Sequence, residues 1–255
     1  DRALRAGFSS DFILDHQDNC SHMLFRQKED GYEPLLHQYN AKLYRNFTKN
    51  LLWHIESMQK YDGELSFISG NHDSFRIADF LNDEELRLAY LFIYTMPGVP
   101  YLFAGDELGQ KTNRNLTSKE GGYQRTGTRI PMVFDNTENR GFSKCKDVSK
   151  LYLPIDNETV SVMEQLEDKN SLLNFIKELI KIRKSEDDLR SKDFKLLDKP
   201  LAYSRGKIKV FINLKDEDQK FEVESGEILL SVGKVEFSAG KLVLKKHQAV
   251  IFKEA

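Results

Sequence analysis

Asn71, His72 and Asp73 stand side by side in the stretch LSFISGNHDSFRI, residues 65–77. An amide, an imidazole and a carboxylate in a row supply hydrogen-bond donors, acceptors and titratable groups. One reading is a turn: Asn and Asp are turn formers, and Gly70 adds backbone freedom after the apolar run Leu65, Phe67 and Ile68. The other is a polar cluster placed on purpose where a buried strand ends. Arg76 follows closely, and Asp106-Glu107 form a second acidic pair that invites a general acid/base reading. Cys20 and Cys145 are far apart and make no CxxC pair, so two free thiols in a reducing compartment are expected. His16 and His22 flank Cys20, but three such residues in an irregular stretch are weak evidence for a metal, and none is expected.

The surrounding elements must hold these groups in place. The chain has 255 residues, 40% hydrophobic and 31% charged, which suits a globular protein of one large domain or two smaller ones. Its net charge of −2 gives no electrostatic case for nucleic acid, and no apolar run is long enough to span a membrane. Residues 7–14 suit a strand, and residues 15–31 read as irregular. Pro34 opens a periodic segment through Leu36, Leu43, Phe47, Leu51, Ile55 and Met58, an amphipathic helix with Pro in its first turn. Trp53 lies on this helix and is expected in the core. Leu65 to Ser69 is the next strand. Asp83-Glu84-Glu85 starts another helix, and Val99 to Ala104 suits a strand buried on both faces. This alternation is α/β grammar with parallel strands. Residues 106–165 are loop-rich, and Ser171 then caps a helix over 172–184. After about residue 190 short alternating segments predict an antiparallel β module.

Three blocks stand in order: FISGNHD, PGVPYLFAGDELG, and SLLNFIKELIKIRK before the β module. With GTRIPMVFD, NRGFSK and LYLPID between them, they resemble the C-terminal half of an α-amylase family enzyme, glycoside hydrolase family thirteen. Within that family they resemble the oligosaccharide α-glucosidase branch. The resemblance implies an α/β fold: the C-terminal part of a (β/α)8 TIM barrel, about strands six to eight, over residues 1–190. An all-β, sandwich-like C-terminal domain follows over 191–255. It implies a retaining α-glycosidase that hydrolyses or transfers glucosyl units of short α-glucans, with no cofactor. Asp73 would be the catalytic carboxylate that grips sugar-ring hydroxyls as positive charge develops. His72 would donate to a neighbouring hydroxyl, and Asn71 would mainly support the turn. For Arg76 a substrate contact and a salt bridge stand equal. Asp106 and Glu107 would be structural, and Arg129 would line or brace the entrance loop. Tyr101, Phe75 and Tyr123 are the candidates for stacking on sugar.

Where the family carries Gln-Trp after Pro-Met, this sequence has Val133-Phe134. That departure motivates an alternative, a non-catalytic carbohydrate-binding or scaffold protein of the same fold. An unrelated α/β binding domain is the third reading. The family's nucleophilic Asp and acid/base Glu have no counterpart here. The expected partners are therefore an α-linked oligosaccharide and a missing N-terminal half of the barrel; nucleic acid and membrane are not expected. The chain alone is expected to be inactive, and the cysteine usage leans cytoplasmic.

Overall fold

The computed structural model describes residues 2–13, 19–26, 33–119, 125–197 and 200–255. The first part alternates helices and parallel strands: α1 (Arg2–Arg5), β1 (Ser10–Ile13), α2 (Cys20–Phe25), α3 (Ala41–Tyr61), β2 (Glu64–Ile68), α4 (Asp83–Thr95) and β3 (Val99–Tyr101). The three strands form one parallel sheet in the order β1-β2-β3. Then come 3₁₀ turns and loops, α5 (Val162–Glu167), α6 (Leu172–Ser185) and α7 (Asp187–Arg190). The rest is antiparallel: β4 (Lys195–Leu197), β5 (Ala202–Arg205), β6 (Ile208–Ile212), β7 (Gln219–Glu222), β8 (Gly226–Val232), β9 (Glu236–Ser238), β10 (Lys241–Leu244) and β11 (Ala249–Glu254). They make a five-stranded sheet, β4-β5-β6-β11-β8, and a three-stranded sheet, β7-β10-β9.

Local chemistry sets the helix starts. Asn40 caps α3 by accepting from the Lys42 and Leu43 N–H groups, so the helix begins after Pro34 rather than around it. Pro34 instead leads into a separate turn, whose Leu35 and Leu36 N–H groups bond to Met23 and Leu24 carbonyls. Asn82 and Glu85 close a capping box on α4. Ser161 and Glu164 do the same for α5, a helix inside the stretch expected to be loop. Ser171 caps α6.

Phe47, Leu51, Ile55 and Met58 put one face of α3 into the core. Trp53 falls between those positions and is 46% exposed, so its expected core placement is corrected. On β2, Leu65 and Phe67 face the helices, with Phe67 edge-on to Phe92 of α4 at 5.8 Å. Val99 and Tyr101 are exposed, against the expectation of burial on both faces. They pair with Ser66 and Ile68, which point to the sheet face opposite Phe67. Phe12 lies exposed there too, edge-on to Tyr101 at 5.1 Å. One core of α3, α4 and α6 side chains continues into Tyr203, Val210 and Ile251 of the β module. Among the described residues no helix is long and apolar enough to cross a membrane.

Candidate functional site

β2 ends at Ile68, and Ser69-Gly70 leads into Asn71-His72-Asp73. Asn71 Oδ1 accepts the Asp73 backbone N–H at 2.8 Å, an Asx turn that fixes the tripeptide. His72 and Asp73 then face outward, their side chains 64% and 48% exposed. Asp73 Oδ1 accepts from Arg125 Nη1 at 2.6 Å and from Arg129 Nη2 at 3.1 Å. Its Oδ2 lies 3.5 Å from His72 Nε2. Arg129 Nε donates to the His72 carbonyl at 3.0 Å, tying the 3₁₀ turn Thr126–Arg129 to the tripeptide. Desolvation is the largest single influence on the Asp73 carboxyl and pushes it up. The Arg125 charge, His72 and the two guanidinium hydrogen bonds outweigh it and hold the group below its ordinary value. Asp73 is therefore an ionised, accessible carboxylate at neutral pH.

A buried polar layer lies beneath. Asp106 is 1% exposed and accepts from Arg76 Nη1 at 2.6 Å and from Ser69 Oγ at 2.7 Å. Arg76, 2% exposed, also donates from Nη2 to the Thr128 carbonyl at 3.0 Å and lies over the Phe103 ring at 4.6 Å. Arg26 donates to the Ser69 carbonyl at 2.7 Å and to the Phe75 carbonyl at 2.8 Å. Gly70 leaves room for this layer: a Cβ there would come within a tight 3.0 Å of Asp106 Oδ2 and 3.3 Å of Arg26 Nη2. Burial pushes the Asp106 carboxyl up, and Arg76 and Ser69 pull it back only in part. Burial also raises Glu107, whose Oε2 accepts the Gly105 N–H at 2.7 Å.

The structure thus brings His72 and Asp73 together on the exposed face, with Asn71 supporting them. Of the two readings of Arg76, the geometry matches the salt bridge and not the substrate contact: its guanidinium is buried under the turn on Asp106 and the Thr128 carbonyl. Arg125 and Arg26 were not foreseen. Arg125 sits in a loop without periodicity, 52 residues from its partner, and Arg26 in a stretch read as irregular. Phe75 is partly covered by Arg114, 4.5 Å from its ring centre, while Tyr101 is open. Tyr123 and His16 lie outside the described residues. Among the described residues no group of His, Cys, Asp and Glu is arranged to hold a metal ion. At the family departure, Val133 is fully buried and Phe134 is 44% exposed.

Residues 14–192, more than half of the chain, match the family model described as alpha amylase, catalytic domain. The glucan 1,6-alpha-glucosidase of Streptococcus pneumoniae serotype 4 is 29% identical over 249 residues, covering 81% of this chain and 44% of that enzyme. The oligo-1,6-glucosidase of Parageobacillus thermoglucosidasius is 26% identical over 194 residues, covering 58% of this chain and 34% of that enzyme. This chain therefore spans less than half the length of these two relatives. Among solved structures, an alpha-amylase from H. orenii superposes with a TM-score of 0.71 at 19% identity, over 99% of this chain and 50% of the other. The trehalose-6-phosphate hydrolase of Bacillus licheniformis gives 0.71 at 19% identity, over 96% and 51%.

Proposed function

Because the chain belongs to the alpha-amylase family, we propose that it is part of a retaining α-glycosidase that hydrolyses or transfers glucosyl units of short α-glucans. The observation that carries this reading is Asp73: an ionised, accessible carboxylate at the end of a parallel strand, braced by two guanidinium groups. In this proposal residues 1–190 are the C-terminal part of a (β/α)8 barrel, and residues 191–255 are its all-β C-terminal domain. The parallel order β1-β2-β3 and the antiparallel pairing after residue 195 support that division. The glucosidase names of the two relatives support the substrate class. The two free cysteines support a cytoplasmic setting.

Retention needs a nucleophile and an acid/base carboxyl about 5–5.5 Å apart. In this reading both come from the part of the barrel that these residues do not include, and the 255-residue chain alone is inactive. Asp73 accepts hydrogen bonds from ring hydroxyls of the sugar being cleaved, and those bonds strengthen as the oxocarbenium-like charge develops. His72 donates to an adjacent hydroxyl. Arg125 and Arg129 hold the carboxylate in position, and Asn71 holds the turn.

The test is kcat on an α-glucoside for the complete protein, with and without Asp73→Asn. The expected loss is roughly 10²-fold or more, the scale of removing one transition-state contact, with only the small fall in melting temperature expected for an exposed ion pair. Full kcat in the variant refutes the assignment.

A further inference from the structure

Away from Asp73, a groove of about 940 Å³ runs between the helices α4 and α6 and the loops of the β module. That is at the upper end of small-molecule sites, roughly 300–1,000 Å³. Both walls are braced. On the helix side, Arg87 donates from Nη2 to the Asn170 carbonyl at 2.7 Å and from Nε to Asp83 at 3.0 Å, and lies over the Phe175 ring at 5.3 Å. On the loop side, Gln248 accepts the Lys245 N–H at 2.8 Å and donates to the Lys234 carbonyl at 3.0 Å. The turn between them is tight: Gly233 has φ +77°, and a Cβ there would come 3.1 Å from Gln248.

The charge pattern says what the groove suits. Lys169 precedes α6, Lys177 lies on α6 and Lys245 follows β10, and all three line the groove. Three acids line the groove too: Asp83 pairs with Arg87, Glu178 with Lys181 at 3.4 Å, and Glu84 lies 3.9 Å from His247; against these three stand five cations of the lining, Arg87, Lys169, Lys177, Lys245 and Lys246. Lys246 pairs with Asp216 at 2.6 Å. Among the described residues Lys169, Lys177 and Lys245 form no ion pair, so three cationic side chains from three segments line one groove. Neutral sugars bind against open aromatic faces. The aromatic ring lining this groove, Phe175, is 9% exposed and capped by Arg87.

We propose that this groove binds a phosphate-bearing small molecule, its phosphate group held by Lys169, Lys177 and Lys245. Lysine ammonium groups act on phosphate as point charges and need no bidentate geometry. The site is independent of Asp73.

Calorimetric titration of the chain with inorganic phosphate, glucose 6-phosphate and maltotriose tests it. Saturable binding of a phosphate species is expected, weakening as salt rises and falling at least roughly tenfold in Lys169→Gln/Lys177→Gln/Lys245→Gln. These side chains are exposed, and the Lys245 hydrogen bond uses the backbone, so the variant keeps its fold. Equal affinity for inorganic phosphate and glucose 6-phosphate makes free phosphate the ligand; tighter binding of glucose 6-phosphate makes it a sugar phosphate. Arg125→Ala/Arg129→Ala should leave the affinity unchanged. The proposal is overturned if neither anion binds saturably, if the lysine variant binds as tightly as the parent, or if the arginine variant loses the binding.

Discussion

Breaking the buried pair Arg76–Asp106 should be among the most damaging single changes under the Asp73 turn. Asp106→Asn keeps the size of the side chain and an oxygen able to accept from Ser69, but it removes the charge facing Arg76. The Arg76 guanidinium, 2% exposed, would keep only the Thr128 carbonyl and the Phe103 ring. A buried ion that loses its partner costs about 3–5 kcal/mol. At roughly 2–4 °C per kcal/mol for a chain of this size, the melting temperature falls by roughly 6–20 °C. Arg76→Met should cost a similar amount, because Asp106 is then buried without its cation. The double variant Arg76→Met/Asp106→Asn should cost clearly less than the sum of the singles, since both ions are gone. Urea unfolding followed by circular dichroism, run as a double-mutant cycle, measures this. Arg190→Ala removes an exposed pair with Asp187 and serves as the control, within about 0.5 kcal/mol of the parent. Single variants costing less than about 1 kcal/mol, the range of exposed pairs, or a strictly additive double, would refute the buried-brace account.

Arg125→Ala should raise the Asp73 carboxyl toward its ordinary 3.8, read by carbon NMR titration; an unmoved titration would contradict the pairing. Asp73 is depressed in the folded state, so its stabilising contribution is present above 3.8 and is lost as pH falls through the folded value. Arg205 is fully buried and donates to the Ser191 carbonyl at 2.6 Å, to Leu189 at 3.1 Å and also to Thr95 and Asp193. Arg205→Met strands those acceptors and should cost about 3 kcal/mol or more in urea unfolding. Cys20 is fully buried and its thiol is pushed up to about 12 by desolvation, whereas Cys145 is half-buried. Native-state alkylation at pH 8 should add one label, at Cys145, detected by mass; a second label on the folded chain would contradict the burial of Cys20.

Much of the scaffold was legible because its signals are local. The acidic run Asp83-Glu84-Glu85 marks a helix start, and α4 begins there, with Asn82 and Glu85 closing a capping box. Ser161 and Glu164 carry the same pattern, yet α5 was read as loop because its neighbours show no apolar period. Pro34 drew the start of α3 too early: proline suits a first turn, but the side-chain cap at Asn40 decides where the backbone enters the helix. Burial of β3 failed for a different reason. A continuous apolar run looks the same whether one or both sheet faces are covered, so Val99-Pro100-Tyr101 could not report which. At the site, the sequence exposed the tripeptide and Arg129 but not the braces Arg125 and Arg26. No local pattern links Arg125 to Asp73 or Arg26 to Ser69, because those contacts are made by tertiary folding of loops.

Two aspartates with opposite environments define the division of labour. Asp106 is buried, pushed up by desolvation, and bonded inward to Ser69 and Arg76. Asp73 is open, held down by guanidinium groups, and keeps one edge toward solvent. A group that must meet developing positive charge needs to be ionised and reachable. Asp73 meets both conditions and Asp106 fails the second. Asp106, one half of an acidic pair that by its residue types alone invites an acid/base reading, is therefore the anchor. Ser69 and Arg76 hang from Asp106 on either side of the tripeptide, so its rigidity reaches the turn through two short side chains and not through the sheet alone. An accessible carboxylate here rests on a buried ion pair beneath it, and under the proposed assignment the two respond to mutation differently: Asp106 chiefly in stability, Asp73 chiefly in turnover.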